Sequence, residues 1–434
     1  MCPALATFPN PFPPLGNRHG VKFEMTAHRR ALVIGGSLGG LLAAILLRND
    51  GWQVEIFERV PEELAGRGAG IVTHPELLDA LSRCGVAIDG GIGVEVASRV
   101  TLDASGRTVG EFPLRQILTS WGKLYAVLKA RFPTQDYHPG FSLERVEQRE
   151  DCVAACFANG QRIQGDLLVG ADGIRSTVRA QFLPSATPAY AGYVAWRGLV
   201  EEALVSAPTH AALFDRLGFC LPPREQMIGY PVAGAGNSTQ RGQQRYNFVW
   251  YRPAAEDAGL VDLLTDASGR RHEVSIPPPL IRPEVIAHMR QDADKLLAPQ
   301  FAEMVRLTQQ PFFQAIYDVE SPELVFGRVV LAGDAAFVAR PHVGMGVTKA
   351  AGDAVALADA LRGTDDLGEA LRRYQAARLP FGVAVIARAR HLGAYMQAQM
   401  RTPQERQMAE RYRTPEAVMR ETAAPQTMWG TGPA

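Results

Sequence analysis

ALVIGGSLGGLLAAILLRNDGWQVEIFER, residues 31–59, is the stretch from which the fold follows. Ala31 to Ile34 is a short apolar run suited to a strand buried on both faces. Gly35, Gly36, Gly39 and Gly40 crowd a tight turn, and Leu41 to Arg48 continues as an apolar helix. Asn49-Asp50-Gly51 stops that helix, and Trp52 to Phe57 gives a second strand ending at Glu58 and Arg59. A strand, a glycine turn, a helix and a second strand in this order can hold a dinucleotide pyrophosphate over the helix N-terminus. The acid roughly 20 residues on then accepts ribose hydroxyls. Ser37 stands where the second glycine of G-x-G-x-x-G belongs, and it is small enough for the same close approach. The alternative is a purely structural βαβ turn.

Before this unit, residues 1–28 hold Pro3, Pro9, Pro11, Pro13 and Pro14 and read as a disordered extension, without the charged start and apolar stretch of a signal peptide. Met25, just ahead of the first strand, is a candidate start of translation. After the unit, Gly66-Arg67-Gly68-Ala69-Gly70-Ile71 is either a flexible loop or backbone laid along a flat ligand. Pro75 opens an amphipathic helix through Leu77, Leu78, Leu81 and Cys84, closed by Gly85. Val94 to Pro113 alternates as a hairpin turned at Ala104-Ser105-Gly106, and Trp121 to Phe132 is helical. Strands follow around Phe141 to Gln148 and Cys152 to Phe157.

An apolar strand then runs into Asp172-Gly173 and a basic helix start. Asp172 is either a helix cap or a ligand contact, and Arg175 and Arg179, four apart, would share one helix face suited to a phosphate. From Tyr190 to Arg252, aromatic strand-like runs separated by Gly/Pro turns suggest an antiparallel sheet walling a pocket. Gly327 to Leu361 supplies a strand, Gly333-Asp334, a loop with Pro341, Gly344 and Gly346, and a long helix. A second helix start reached through glycines again offers free N–H groups to an electron-rich group.

Composition excludes several classes. Lysine plus arginine equals aspartate plus glutamate at 45 each, so no global charge points to nucleic acid or a membrane. The apolar run of the first helix is far short of the roughly 20 residues of a membrane span. The five cysteines form no metal spacing, and a reduced, cytoplasmic protein is expected.

GGSLGG with FER, then DLLVGADGIRSTVR, then VVLAGDAAFVARPHVGMG, in this order and at these separations, resemble the single-component (group A) FAD-dependent aromatic monooxygenases over roughly residues 30–395. TSWGKLY, VAWRGLV and RPHVGMG are most similar to the hydroxypyridine hydroxylases. The resemblance implies an α/β fold in which a Rossmann-like FAD-binding domain of glutathione-reductase type (29–98, 116–186, 311–395) carries an inserted antiparallel-sheet substrate domain (99–115, 187–310). Residues 396–434 would be a C-terminal helix and tail, in a monomer or homodimer. It implies FAD as cofactor, NADH or NADPH as transient co-substrate, and O₂, with a flavin C4a-hydroperoxide hydroxylating an electron-rich phenol or hydroxypyridine ring.

Carried over position by position, the resemblance assigns Gly35, Ser37, Gly39 and Gly40 to the pyrophosphate and Glu58, with Arg59, to the ribose. Arg67 and Lys123 would add cofactor contacts, Lys123 standing in where Trp121 replaces an arginine of many relatives. Asp172 and Gly173 would touch FAD and the nicotinamide nucleotide. Gly333 and Asp334 would hold the ribityl side, and Pro341, Gly344, Met345, Gly346 and Val347 the flavin ring. Phe337 and Thr348 depart from the histidine and asparagine usual in relatives. Tyr230, with Gln226 on the same strand face, would orient a ring hydroxyl, and His342 would relay its proton or serve only as a loop histidine. Competing classes are a flavin halogenase, a double-bond reductase and a non-catalytic flavin-binding protein; the W-x-W-x-I-P context of halogenases is missing here.

Overall fold

The computed structural model describes residues 29–64 and 70–425. The strand Arg30–Ile34 lies inside a six-stranded sheet, paired in parallel with Gln53–Glu58 on one side and Leu167–Gly170 on the other. Val329–Leu331 extends the sheet beyond Leu167–Gly170, and Tyr137–Pro139 extends it beyond Gln53–Glu58. Ala31, Leu32 and Val33 have no exposed surface, which is why the run reads as uninterrupted apolar sequence. The helix Leu38–Asn49 buries Leu41, Leu42 and Leu47 against this sheet, and the long helix Gly346–Arg362 packs beside it. The three-stranded sheet Leu143–Gln148, Val153–Phe157 and Arg162–Gly165 joins the same core. The first helix starts at Leu38 rather than Leu41, because Gly39 and Gly40 fall within its first turn. A Cβ on Gly40 would sit 1.9 Å from the carbonyl oxygen of Gly35, so the turn closes only around glycine there.

The second sheet has nine strands, and alternation along them sends side chains to two different environments. Val194, Trp196, Phe248 and Trp250 pack beneath the helices Pro283–Leu296 and Pro299–Leu307. Their neighbours Tyr193, Ala195, Val249 and Tyr251 face the opposite way, with Ile228 and Tyr230. This sheet differs from the expected segment limits. Val94–Leu102 and Thr108–Ser120 form one hairpin ladder, from Val94 opposite Leu118 to Leu102 opposite Thr108, and limits at 98 and 116 would cut both strands. Phe312–Glu320 pairs with Ala189–Glu201 and likewise belongs to this sheet.

The expectation of one C-terminal helix and a loose tail is corrected over the described residues. Pro403–Tyr412 and Pro415–Glu421 are two capped helices, and the chain then folds back over the second sheet. Arg99, wholly buried, draws it in by donating to the carbonyls of Met419 (2.7 Å), Thr422 (2.6 Å) and Ala423 (2.9 Å). Among the described residues no helix is long and apolar enough to cross a membrane, and no His/Cys/Asp/Glu group could hold a metal. The expected extension, residues 1–28, lies outside the described residues.

Candidate active site

The turn after the first strand brings the expected pyrophosphate residues together. Gly35 has φ of +105°, and a Cβ there would lie 2.3 Å from the Ala171 carbonyl oxygen, so the end of the neighbouring strand presses directly on the turn. Glu58 accepts from Gly36 N–H at 2.8 Å and from Val60 N–H at 2.9 Å, which fixes the turn to the second strand. Ser37 makes no side-chain cap and no acid occupies the first helical turn, so the helix N-terminus keeps its positive end for an anion. Arg59 is exposed, and Arg67 lies outside the described residues. The structure does not bring Lys123 into the central cavity: it sits in the first turn of Trp121–Lys129, its N–H capped by Ser120. Trp121 stacks on Tyr125 at 4.9 Å, so it packs.

The second glycine-lined helix start meets the first. Cβ atoms built on Gly39 and on Gly333 would each lie 3.4 Å from the Cβ of Ala350. Lys349 Nζ donates to the Gly333 carbonyl at 2.7 Å, and Gly333 N–H donates to Asp353 at 2.9 Å. Arg378 holds the other oxygen of Asp353 at 2.7 Å. Sequence reasoning missed these buried charges; the signal was Lys349 and Asp353 on a helix face otherwise built of small residues. Together they leave the Asp334 carboxylate without a hydrogen-bond donor among the described residues. Protein surrounds Asp334 and its exposed surface opens into the cavity, so burial raises its pKa while Lys349 opposes the rise.

Asp172 is a cap in this structure. Its carboxylate accepts from Ser176 Oγ and from the N–H groups of Thr177 (2.7 Å) and Val178 (3.2 Å). Gly173 beside it has φ of +79° with open space where a Cβ would be. The shared helix face expected of Arg175 and Arg179 is corrected, because the helix begins only at Thr177. Arg179 turns inward to the carbonyls of Ile174, Ala186 and Ala335, whereas Arg175 is exposed and lines the cavity.

The cavity, about 420 Å³, lies between the start of the Gly346–Arg362 helix and the second sheet. That helix has no side-chain cap and no acid in its first turn, and Gly344, Gly346 and Val347 line the cavity. Gly346 has nothing within 4 Å of a built Cβ. Met345 instead points into a small core with Val385 and Leu392. Gly344 adopts φ of +75°, with Ala423 and His74 packed too closely for a side chain. His74, which immediately precedes the helix opened by Pro75, donates from Nε2 to the Gly344 carbonyl at 3.1 Å and so anchors the loop.

Pro341 and His342 line the same cavity. His342 donates from Nε2 to the Ala389 carbonyl at 3.0 Å, so Nδ1 carries the lone pair, and Nδ1 has no partner. Burial lowers its pKa to about 4, leaving a neutral ring at pH 7. Tyr230 and Tyr251 line the cavity from the sheet, their phenol pKa values raised by burial and drawn back by Arg197. Gln226 shares their face but does not line the cavity. Its Oε1 accepts from Tyr395 at 3.0 Å and its Nε2 reaches Thr422 at 3.4 Å, because the returning C-terminal segment covers that end of the strand. Phe337 packs against Gly382, and Thr348 is buried with an unpartnered hydroxyl.

Two uncapped helix N-termini meeting at Ala350, an undonated Asp334 carboxylate and open positions at Gly173 and Gly346 form a cradle that fits a long, flat, diphosphate-bearing group. Two family models match the chain: "FAD binding domain-like" over residues 190–318 and "FAD binding domain" over residues 285–389. The chain is 33% identical over 369 residues to 2,6-dihydroxypyridine 3-monooxygenase of Paenarthrobacter nicotinovorans, covering 85% of this chain and 91% of that protein. The solved 2,6-dihydroxypyridine-3-hydroxylase from Arthrobacter nicotinovorans superposes with a TM-score of 0.80 at 32% identity, over 87% of this chain and 95% of that one. Klebsiella pneumoniae HpxO, solved with FAD and uric acid, superposes with a TM-score of 0.73 at 25% identity, over 94% of this chain and 98% of that one.

Proposed function

The chain belongs to the FAD-dependent aromatic monooxygenases, and we infer that it hydroxylates a single electron-rich ring of the hydroxypyridine type, consuming NADH or NADPH and O₂. The observation that carries this reading is the cavity itself, which sets an uncapped helix N-terminus and the undonated Asp334 across from a sheet face bearing tyrosines. FAD, when bound, supplies the redox chemistry that activates O₂ and passes one oxygen atom to the ring. The remaining work belongs to the protein. The N–H groups at Leu38–Gly40 and the turn held by Glu58 would take the pyrophosphate, with Asp334 accepting from the sugar-alcohol chain. Backbone N–H groups at Gly346 and Val347 would stabilise negative charge on the edge of the flavin ring. Tyr230 would orient a ring hydroxyl, and the lone pair on His342 Nδ1 would accept a proton or hydrogen bond from the substrate side. The apolar residues Ile228 and Val249 with the covering Ala423 would keep water from the reacting atoms.

We divide the chain between a FAD-binding part built on the parallel sheet and a substrate part built on the nine-stranded sheet. The four described cysteines are free and buried, in keeping with a cytoplasmic protein acting as a monomer or homodimer, which light scattering would distinguish. The direct test is purification. The protein should be yellow, and Asp334→Ala should lose the flavin absorbance while remaining folded by circular dichroism. Substrate-stimulated NAD(P)H oxidation, screened over hydroxypyridines and phenols with product analysis, then separates a monooxygenase from a halogenase, a reductase or a flavin-binding protein without activity. No hydroxylated product from any ring in that screen, despite bound flavin, would overturn the reading.

A further inference from the structure

The sheet face that walls the cavity carries a cation left unpaired by the fold. Arg197, on the strand Ala189–Glu201, lines the cavity and is only 8% exposed. Its Nε has no hydrogen-bond partner, and among the described residues no carboxylate pairs with its guanidinium. The chain treats its other buried arginines differently. Arg99 and Arg179 are surrounded by backbone carbonyls, and Arg340 is held by Asp318 at 2.9 Å and Gln397 at 2.8 Å. Asp334, the carboxylate among the cavity-lining residues, is set against Lys349, Asp353 and Arg179 instead. An unpaired buried charge is costly to a fold, and a ligand that brings the opposite charge removes that cost.

The surroundings of Arg197 define the ligand. Across the ladder Arg197 stands opposite Val249, and Val249 stands opposite Ile228, so two apolar side chains form a floor beside it. Tyr251 lies one cavity-facing position along from Val249, and Tyr230 one position along from Ile228 in the other direction. Among the described residues neither hydroxyl is held by another protein group, and both sense the charge of Arg197.

We propose that Arg197 sets the specificity of this cavity by taking the negatively charged oxygen of an aromatic anion, whose ring lies on Val249 and Ile228. This rests on the monooxygenase reading and narrows its substrate class to rings that bind as anions, through a carboxylate or an ionised ring hydroxyl. A planar guanidinium suits either, since it offers paired N–H donors to adjacent oxygens or a fork to one. Tyr230 and Tyr251 then donate to the remaining polar substituents. The flavin-loaded protein is titrated with benzoate against benzamide, and with 4-nitrophenolate against 4-nitroanisole, following the perturbation of flavin absorbance. In at least one pair the anion should bind about tenfold or more tightly than its neutral partner. In Arg197→Gln that preference should vanish while flavin content stays at the wild-type level. The pair that responds tells a carboxylate from a ring oxyanion. Arg197→Lys, which keeps the charge but not the fork, should weaken the anion alone, and it serves as the test if the glutamine variant does not fold. Equal binding within both pairs, a preference that survives Arg197→Gln, or anion affinity unchanged in Arg197→Lys overturns the proposal. A protein that holds no flavin would refute the monooxygenase reading instead, so the two failures are separate.

Discussion

His342 and Tyr230 enter the cavity with opposite histories. His342 is tied by Nε2 to Ala389, tilted against Tyr193 and edge-on to Tyr251, so its ring orientation is set before any ligand arrives. Because burial keeps it neutral, its unpartnered Nδ1 is an acceptor and does not store a proton at pH 7. Tyr230 makes no hydrogen bond to protein among the described residues, so removing its hydroxyl should leave stability almost untouched. Tyr230→Phe should therefore keep FAD and thermal midpoint while product formed per NAD(P)H consumed falls. His342→Ala should lose hydroxylation rate by about 10²-fold, the low end for a proton-handling group. Wild-type rate and coupling in both variants would make these side chains structural. Strand period set Tyr230 and Gln226 on one face, and the resemblance to the hydroxypyridine hydroxylases singled out Tyr230 and His342, which both line the cavity. Gln226 was equally legible by periodicity, yet it is spent on Tyr395 and Thr422, residues far along the chain.

At the scale of elements, the two glycine turns and the C-terminal helix pair carry the site. Gly35→Ala would put a methyl 2.3 Å from the Ala171 carbonyl oxygen at a φ of +105°, where side chains are strained in any case. It should express poorly or emerge without flavin, measured as the ratio of flavin to protein absorbance. The C-terminal helices end in a reversal, Ala423 at φ of +48°, whose N–H donates to the His342 carbonyl at 2.8 Å. Arg99 holds that reversal from beneath, and burial pushes its pKa down to about 9, still charged at pH 7. Arg99→Leu leaves three carbonyls without their donor, which should cost about 3 kcal/mol in stability. It should also open the cavity at Ala423, so that more hydrogen peroxide and less product appear per NAD(P)H. Unchanged melting temperature and unchanged peroxide yield would show that the C-terminal segment does not close the site.

Over the whole molecule, pH couples these parts. His74 and His342 are both lowered to about 4 from an ordinary value of 6.5 by burial. Between those values the unfolded chain takes up protons that the folded chain does not. Stability is therefore full above about 6.5 and falls as pH drops toward 4, by up to about 3 kcal/mol for each histidine. Asp172 and Asp334, raised by burial, act in the opposite direction, so the histidine part is read as a difference between variants. A double variant, His74→Gln with His342→Gln, should lose less thermal stability than wild type between pH 7 and pH 4. Equal losses would mean that neither ring is held neutral by the fold.

The sequence by itself determined the parallel sheet and the two helix starts, because these depend on local matters. Four apolar residues in a row must be buried on both faces, and glycines packed at Gly35 to Gly40 admit one kind of turn. It also determined the aromatic sheet, through alternation and turn residues between Tyr190 and Arg252. Only the tertiary structure decided which polar groups face the cavity free and which are used up. Arg197 stays open because, among the described residues, no acid from another segment reaches it, whereas Arg179 and Gln226 are taken by Ala335 and Tyr395. A side chain's availability is set by partners brought from elsewhere in the chain, and no local pattern encodes those partners.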